Sequence, residues 1–597
     1  MAKLFLMPIA LMKQIMTILI LMSMGSCLSC QTVDHDAIEK QMRRNMRKQH
    51  LPAMAVTVVR GEDILFQKAL GLIDVENRIP ASTQTVFKLW SMAKAFTAIE
   101  IFREIEEGLV DLNAPLTRYL TDFSIQSSFS GNDSITVRDV LAHRSGLPRH
   151  EGLLPAGMER DLNYLERFEC GAANCYSAYP VATRFKYSNL GYDLLGRVIE
   201  ESRNEGFFKH MKLNLLNDLG MKNADFYSGA IDSSLHRALG YGYQKRNYIP
   251  YLQYDINNFP SGNLYATIED LSAFLQSVFG GELFDKEGTL SRMLADHYSH
   301  PGDPQTMGLG WKLARMENGE TLVWHDGGPT EGIGSLIAFV PEHKIGIALI
   351  GNGTTFSGFY SLQFAMNILD MVLEVNQEDT RGKDRKVIKT DQTGREKVEV
   401  SSEDMQELEG SYAAFGSLIE VKRKGKKLKA SIGGLSLILL PESDTEFGVT
   451  HWMEKTGLTR IIKPPVDFTE IRISFRKVGP DGSGCMILHM MDVSHEICPK
   501  YPRQSSVPEL WRTLCGSYRR ADRIPGGTWE TPGEGRTEIW LKDGVLGMSG
   551  AYGPVLPVSD TILRVMGGAY HGEYLDLDPQ SGVILHQKWA FVPERDQ

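Results

Sequence analysis

Apolar and polar positions alternate in different rhythms along the chain, and the changes of rhythm mark out its parts. Ile15 to Met22 is an almost unbroken apolar run, shorter than a bilayer-spanning helix requires. Asp34 to Lys48 is polar with helical spacing. Ala53 to Val59 and Asp63 to Phe66 then read as two strands. Ser91 to Glu107, rich in Ala, Met, Phe and Ile and followed by Gly108, reads as a helix with its stop. Strand patterns return at Thr321 to Trp324, Gly334 to Val340 and Ile345 to Ile350. Strands at both ends with helices between predict one α+β domain whose sheet joins the two ends of the segment.

Beyond Val375 the pattern changes. Gln377 to Asp404 is strongly charged, without a sustained apolar run, and reads as a linker. The remainder is strand-like, with turn signals at Pro480-Asp481-Gly482 and Lys542-Asp543-Gly544. It also repeats itself. Gly410-Ser411-Tyr412 returns as Gly516-Ser517-Tyr518, and Leu440-Pro441-Glu442-Ser443-Asp444-Thr445 as Leu556-Pro557-Val558-Ser559-Asp560-Thr561. Two matches in the same order predict a duplicated unit, here two small antiparallel barrels.

Composition narrows the class. The chain has 597 residues, 42% hydrophobic and 23% charged, which predicts several globular domains. The net charge of −10, without Lys/Arg blocks, argues against a nucleic-acid partner. Lys3, Lys13 and the apolar run, ending in Ser23-Met24-Gly25-Ser26-Cys27, have the layout of a secretory signal, and Met12-Lys13-Gln14 would also serve as its start. The small pair before Cys27 resembles a bacterial lipoprotein cleavage site, although Met24 stands where Leu is preferred; ordinary cleavage near Cys30 is the alternative. Lipidation at Cys27 would be the only membrane attachment. Export permits disulfides among the seven Cys: Cys170 with Cys175 across a loop, or Cys485 with Cys498 across a hairpin, against reduced buried thiols.

The candidate chemistry begins at Ser91-Met92-Ala93-Lys94. A helix start leaves backbone N–H groups free and favours negative charge developing on Ser91. Lys94, nearly one turn on, shares its face and lies in the apolar run Met92 to Ile101, where an unpartnered charge is costly. A seryl oxygen needs a base to take its proton. Tyr187-Ser188-Asn189 supplies a phenol whose pKa a neighbouring ammonium ion would lower, and an amide for substrate or Lys94. His325-Asp326-Gly327-Gly328 follows a strand, where glycines let backbone approach a ligand and an N–H could join that of Ser91 as an oxyanion hole. His297 and His300 are spaced three apart on an expected helix, but no ligand set completes a metal site. His143 and Arg144 read as structural. No glycine-rich phosphate loop follows a strand, and no cofactor is expected.

Ser-x-x-Lys, then Tyr-x-Asn about ninety residues later, then a His-x-Gly strand resembles the class C β-lactamase superfamily. That group includes D-alanyl-D-alanine carboxypeptidases, D-aminopeptidases and related esterases. Gly108 to Leu116, Ile135 to Pro148, Ser261 to Leu271 and Gly308 to Trp311 are similar to it as well, so the resemblance covers about residues 35 to 375. It implies a β-lactamase-like serine hydrolase domain of antiparallel sheet plus helices, and the tail is similar to the paired lipocalin-like barrels carried by D-aminopeptidase. The implied organisation is a signal at 1–27, a catalytic domain at 28–375, a linker at 376–404 and barrels at 405–502 and 503–597. It implies that Ser91 forms an acyl-enzyme, that Lys94 and Tyr187 shuttle protons, that Asn189 positions substrate, and that the backbone at Ser91 and Gly328 polarises the carbonyl. His325 replaces the Lys of many β-lactamases, which weakens β-lactam hydrolysis as the activity. The expected substrates are small peptides, D-amino-acid amides or peptidoglycan-derived peptides; a β-lactamase or esterase, or a penicillin-binding sensor that does not turn over, are the alternatives.

Overall fold

The structure is a computed structural model that describes residues 33–149, 172–377 and 400–594, apart from short interior breaks and the longer one at 452–470. The signal segment with Cys27 and Cys30, Cys170, His300, most of the charged linker, Pro480-Asp481-Gly482, and Asp543-Gly544 lie outside the described residues.

The first domain is built on one eight-stranded antiparallel sheet. Its strands in chain order are β1 (Ala53–Arg60), β2 (Asp63–Asp74) and β3 (Ile79–Pro80). Two small pairings lie apart from it: β4 (Phe87–Trp90) with β7 (Leu264–Ala266), and β5 (Tyr241–Gln244) with β6 (Asn247–Pro250). The sheet is completed by β8 (Thr306–Met307), β9 (Lys312–Arg315), β10 (Thr321–Gly327), β11 (Gly334–Val340) and β12 (Ile345–Gly351). Its order is β3-β2-β1-β12-β11-β10-β9-β8, so β1 and β12 pair at the centre and the sheet joins both ends of the segment, as expected.

Both faces are covered, which is why β11 and β12 are buried throughout rather than alternating. One face carries α1 (His35–Gln49), capped by Asp34, and a late helix, Gly358–Gln377; Ile38, Met42, Leu362 and Ile368 pack there on Val56, Leu336 and Ile347. The other face carries the larger core. It includes α2 (Ala93–Glu107), α3 (Asn189–Arg203) and α4 (Ile268–Gly280), through Phe96, Ile99, Leu194, Phe274 and Trp311. The predicted helix at Ser91 begins two residues later, at Ala93, and stops at Gly108, which takes the left-handed conformation (φ 80°).

The tail forms two barrels. The first is an eight-strand meander from Gly410–Ala414 to Ser494–Pro499, closed by a bridge between Tyr412 and Lys500. The second runs from Gly516–Arg523 to Trp589–Pro593, and these two strands pair to close it. The repeated motifs occupy equivalent places. Tyr412 and Tyr518 donate their hydroxyls to Leu408 O and Leu514 O, each four residues back. Ser443 Oγ accepts from the N–H groups of Thr445 and Glu446, and Ser559 Oγ from those of Thr561 and Ile562. Asp404 belongs not to a linker but to a short helix, Ser402–Leu408, capped by Ser401 and leading into the first barrel. A hairpin disulfide between Cys485 and Cys498 does not fit: Cys485 pairs with Pro499 and Met486 with Cys498, so the one-residue offset turns the two thiols to opposite faces.

Candidate active site

The strand β4 delivers Ser91. Trp90 ends it in the left-handed region (φ 53°), a strained conformation for a bulky side chain, and this turns the chain sharply into α2. Gly327, at the end of β10, packs directly on this strand: a Cβ there would stand 1.9 Å from Leu89 O. Ser335 Oγ of β11 donates to the same carbonyl at 2.7 Å. The end of β10 that carries His325 and Gly327, with Gly328 just beyond it, is thereby held against the residues leading into Ser91.

Lys94 is fully buried on the first turn of α2, and Ser91 is partly exposed beside it. Lys94 Nζ lies 3.4 Å from Ser91 Oγ and also donates to Ser261 O. Burial holds the amine well below its ordinary pKa, against the opposing charge of Asp193 and with help from Arg149 and Lys312. Asp193, on α3, accepts from Ser261 N at 3.2 Å and from Asn258 Nδ2 at 2.6 Å, so it fixes the turn that holds Lys94.

Tyr187 stands across from them, its ring centroid 4.8 Å from Lys94 Nζ, and its hydroxyl shares a hydrogen bond with Ser91. The expected lowering of its pKa is not found. Burial raises it, and the lowering by Arg149 and the Ser91 hydrogen bond is smaller. Asn189 begins α3 beside it, capped by Ser188. His143, read as structural, lies against the Tyr187 ring at 4.5 Å, and its Nδ1 accepts from Ser188 N at 3.1 Å. It is therefore a support of the Tyr187 loop.

His325 is buried, and its Nδ1–H donates to Asp326 O at 2.8 Å. Burial, with Lys312 and Lys94 nearby, pushes the imidazole down to about 3, so it is neutral at any ordinary pH. Asp326 is occupied by Lys312 at 2.5 Å. Lys88, three residues before Ser91, pairs with Glu331 at 3.7 Å behind the β10 end, and burial lowers it to about 8.

Arg144 donates to His297 O, and His297 bonds Arg138 and Arg292 O rather than facing a ligand; the helix expected there ends at Leu294. Glu100, Glu104 and His210 do converge, in a buried cluster that Arg203 already occupies as cation. The sequence motifs and the resemblance they carry indicated Ser91, Lys94, Tyr187, Asn189 and the β10 glycines. They did not indicate Asp193 or Arg149, which reach the site only through the packing of separate elements.

The family model named Beta-lactamase matches residues 37–365, more than half of the chain. The chain belongs to the beta-lactamase family and has its hydrolase fold. Among its relatives is Protein flp of Staphylococcus aureus (strain N315), 26% identical over 322 residues, which are 53% of this chain and 62% of that protein. The chain thus spans about three-fifths of that relative's length. The unguisins hydrolase ungD' of Aspergillus campestris is 25% identical over 368 residues, 58% of this chain and 66% of that protein. The crystal structure of SurE shares the fold with a TM-score of 0.53 at 19% identity, covering 78% of this chain and 99% of that one.

Proposed function

We propose that the chain is an exported serine hydrolase that cleaves amide or ester bonds of small peptides, D-amino-acid amides or peptidoglycan-derived peptides through an acyl-enzyme on Ser91. The observation that carries this reading is a buried amine, held below its ordinary pKa, beside a serine that also hydrogen-bonds a tyrosine. Lys94 takes the Ser91 proton as Oγ attacks the substrate carbonyl. The negative oxygen is received by the backbone N–H groups of Ser91 and Gly328. Tyr187, held protonated, gives its proton to the leaving group and regains one from Lys94. Water then cleaves the acyl bond by the reverse path. That one relative is named a hydrolase agrees with this class.

Turnover of p-nitrophenyl butyrate, D-alanine p-nitroanilide and a fluorescent penicillin tests the reading. Ser91→Ala should lose both turnover and covalent labelling. Full activity in that variant would end the reading, and a penicillin label that is never shed would indicate a sensor instead. Export is proposed from the segment ending in Ser26-Cys27. A fatty-acid analogue should label the chain and not Cys27→Ala; a mature N-terminus beyond Cys27 would refute lipidation.

A further inference from the structure

The loop that carries Tyr187 is held from outside its own domain. In the second barrel, the strands Ile562–Val565 and Tyr574–Leu577 are joined by a connection that ends in His571-Gly572-Glu573. This connection lies on the catalytic domain. Gly572 (φ 86°) sits so close to Tyr179 that a Cβ would stand 2.6 Å from its ring. Arg564 stacks between Tyr179 and Tyr574, at 5.8 and 5.7 Å.

Glu573 is only 2% exposed, and Lys186, the neighbour of Tyr187, only 6%. Glu573 Oε1 takes Lys186 Nζ at 2.5 Å and the backbone N–H of Arg149 at 2.9 Å. Its Oε2 faces His586 Nε2 at 3.0 Å, and His586 Nδ1 meets the Tyr552 hydroxyl at 2.8 Å, inside the barrel. Lys186 Nζ also donates to His571 O at 3.0 Å. One carboxylate therefore grips two segments that flank the phenol. Lys186 directly precedes Tyr187. Arg149 accepts from Asn189 N at 2.8 Å and sets its guanidinium 5.0 Å from the Tyr187 ring.

A buried charge that loses an opposite charge is strongly unfavourable, so Lys186 is held less firmly in this place if Glu573 becomes neutral. The backbone of Tyr187 would move with it. We propose that Glu573 is a positioning residue for the reaction at Ser91: the second barrel sets the Tyr187 loop through the Glu573–Lys186 pair, and the catalytic domain is incomplete without it. The proposal rests on the role of Tyr187 given above.

The test uses the full chain and the variants Glu573→Gln, Lys186→Met and the double variant Glu573→Gln/Lys186→Met. Active sites are counted with a fluorophosphonate, so that misfolded protein does not enter the rate. Each single variant should lose about 10- to 100-fold in kcat on p-nitrophenyl butyrate, with little change in KM. The double variant should recover part of that loss, because neither charge is left alone. Hydrogen exchange of the peptide spanning 185–191 is a second readout that does not depend on turnover, and it should quicken in the single variants while the sheet stays protected. Folded single variants with wild-type kcat and unchanged exchange would overturn the proposal, as would a double variant no better than the worse single. If the wild type proves inactive while the exchange still quickens, the hydrolase reading fails and the coupling of barrel to loop stands.

Discussion

At Ser91 the decisive residue is the one whose charge the fold suppresses. Lys94 and Tyr187 were equivalent candidates in the sequence, and burial separates them: it favours the neutral form of each, an amine ready to accept a proton and a phenol that keeps one. The proposed mechanism requires Lys94 deprotonated, so kcat/KM should rise through an acid limb well below 10.5 and show no alkaline limb from Tyr187 below about pH 10. A profile still climbing at pH 10 would assign the base elsewhere. Lys94→Ala and Tyr187→Phe should each lose orders of magnitude, with a double variant little worse than either. His325 carries a second expectation. Neutral down to about 3, it gives no pH-dependent attraction for a substrate carboxylate. The kcat/KM ratio of a matched carboxylate and amide pair should therefore stay level between about pH 5 and 8. A carboxylate preference that grows as pH falls toward 5 would show a charged His325.

Elements meet at this site more closely than side chains would permit. The end of β10 lies on β4 because Gly327 has no Cβ, and the strained Trp90 fixes where β4 turns. Gly327→Ala should push β10 from Leu89 and displace the backbone N–H of Gly328. Loss of one oxyanion donor typically lowers kcat about 10²- to 10³-fold. Near wild-type kcat in a folded Gly327→Ala would show that the β10 backbone does not receive the oxyanion. The barrels show the same economy: the repeated Gly-Ser-Tyr and Ser-Asp-Thr segments survive where a tyrosine hydroxyl and a serine cap hold turns at matching positions.

In the whole molecule, each barrel has its own apolar core, and the catalytic domain has two of its own around the sheet. On that ground alone the catalytic fragment is expected to stand by itself and, freed of the barrels, to admit bulkier substrates. The buried Lys186–Glu573 contact argues otherwise. Removing residues 503–597 leaves Lys186 and Arg149 without that carboxylate, and turnover of small and bulky esters alike should fall. A fragment with full kcat on p-nitrophenyl butyrate and wider selectivity would make the barrels a screen and nothing more.

Local pattern determined much of this protein. Helical spacing and caps marked α1 and α2, continuous apolar runs marked β1, β11 and β12, and the duplicated turns marked two barrels, because each depends on residues near in sequence. The Ser-x-x-Lys pair was legible because a single helical turn brings its members together. What the pattern could not supply was the electrostatic state of the site and its supports. The pKa of Lys94, Tyr187 or His325 depends on how much water the surrounding elements exclude, and that is a property of packing. Asp193, Arg149 and Glu573 come to the site and its supports only after α3, the segment ending at Arg149 and the second barrel have docked. No spacing along the chain encodes a contact between Lys186 and Glu573; the folded domains create it by burying the two opposite charges against each other.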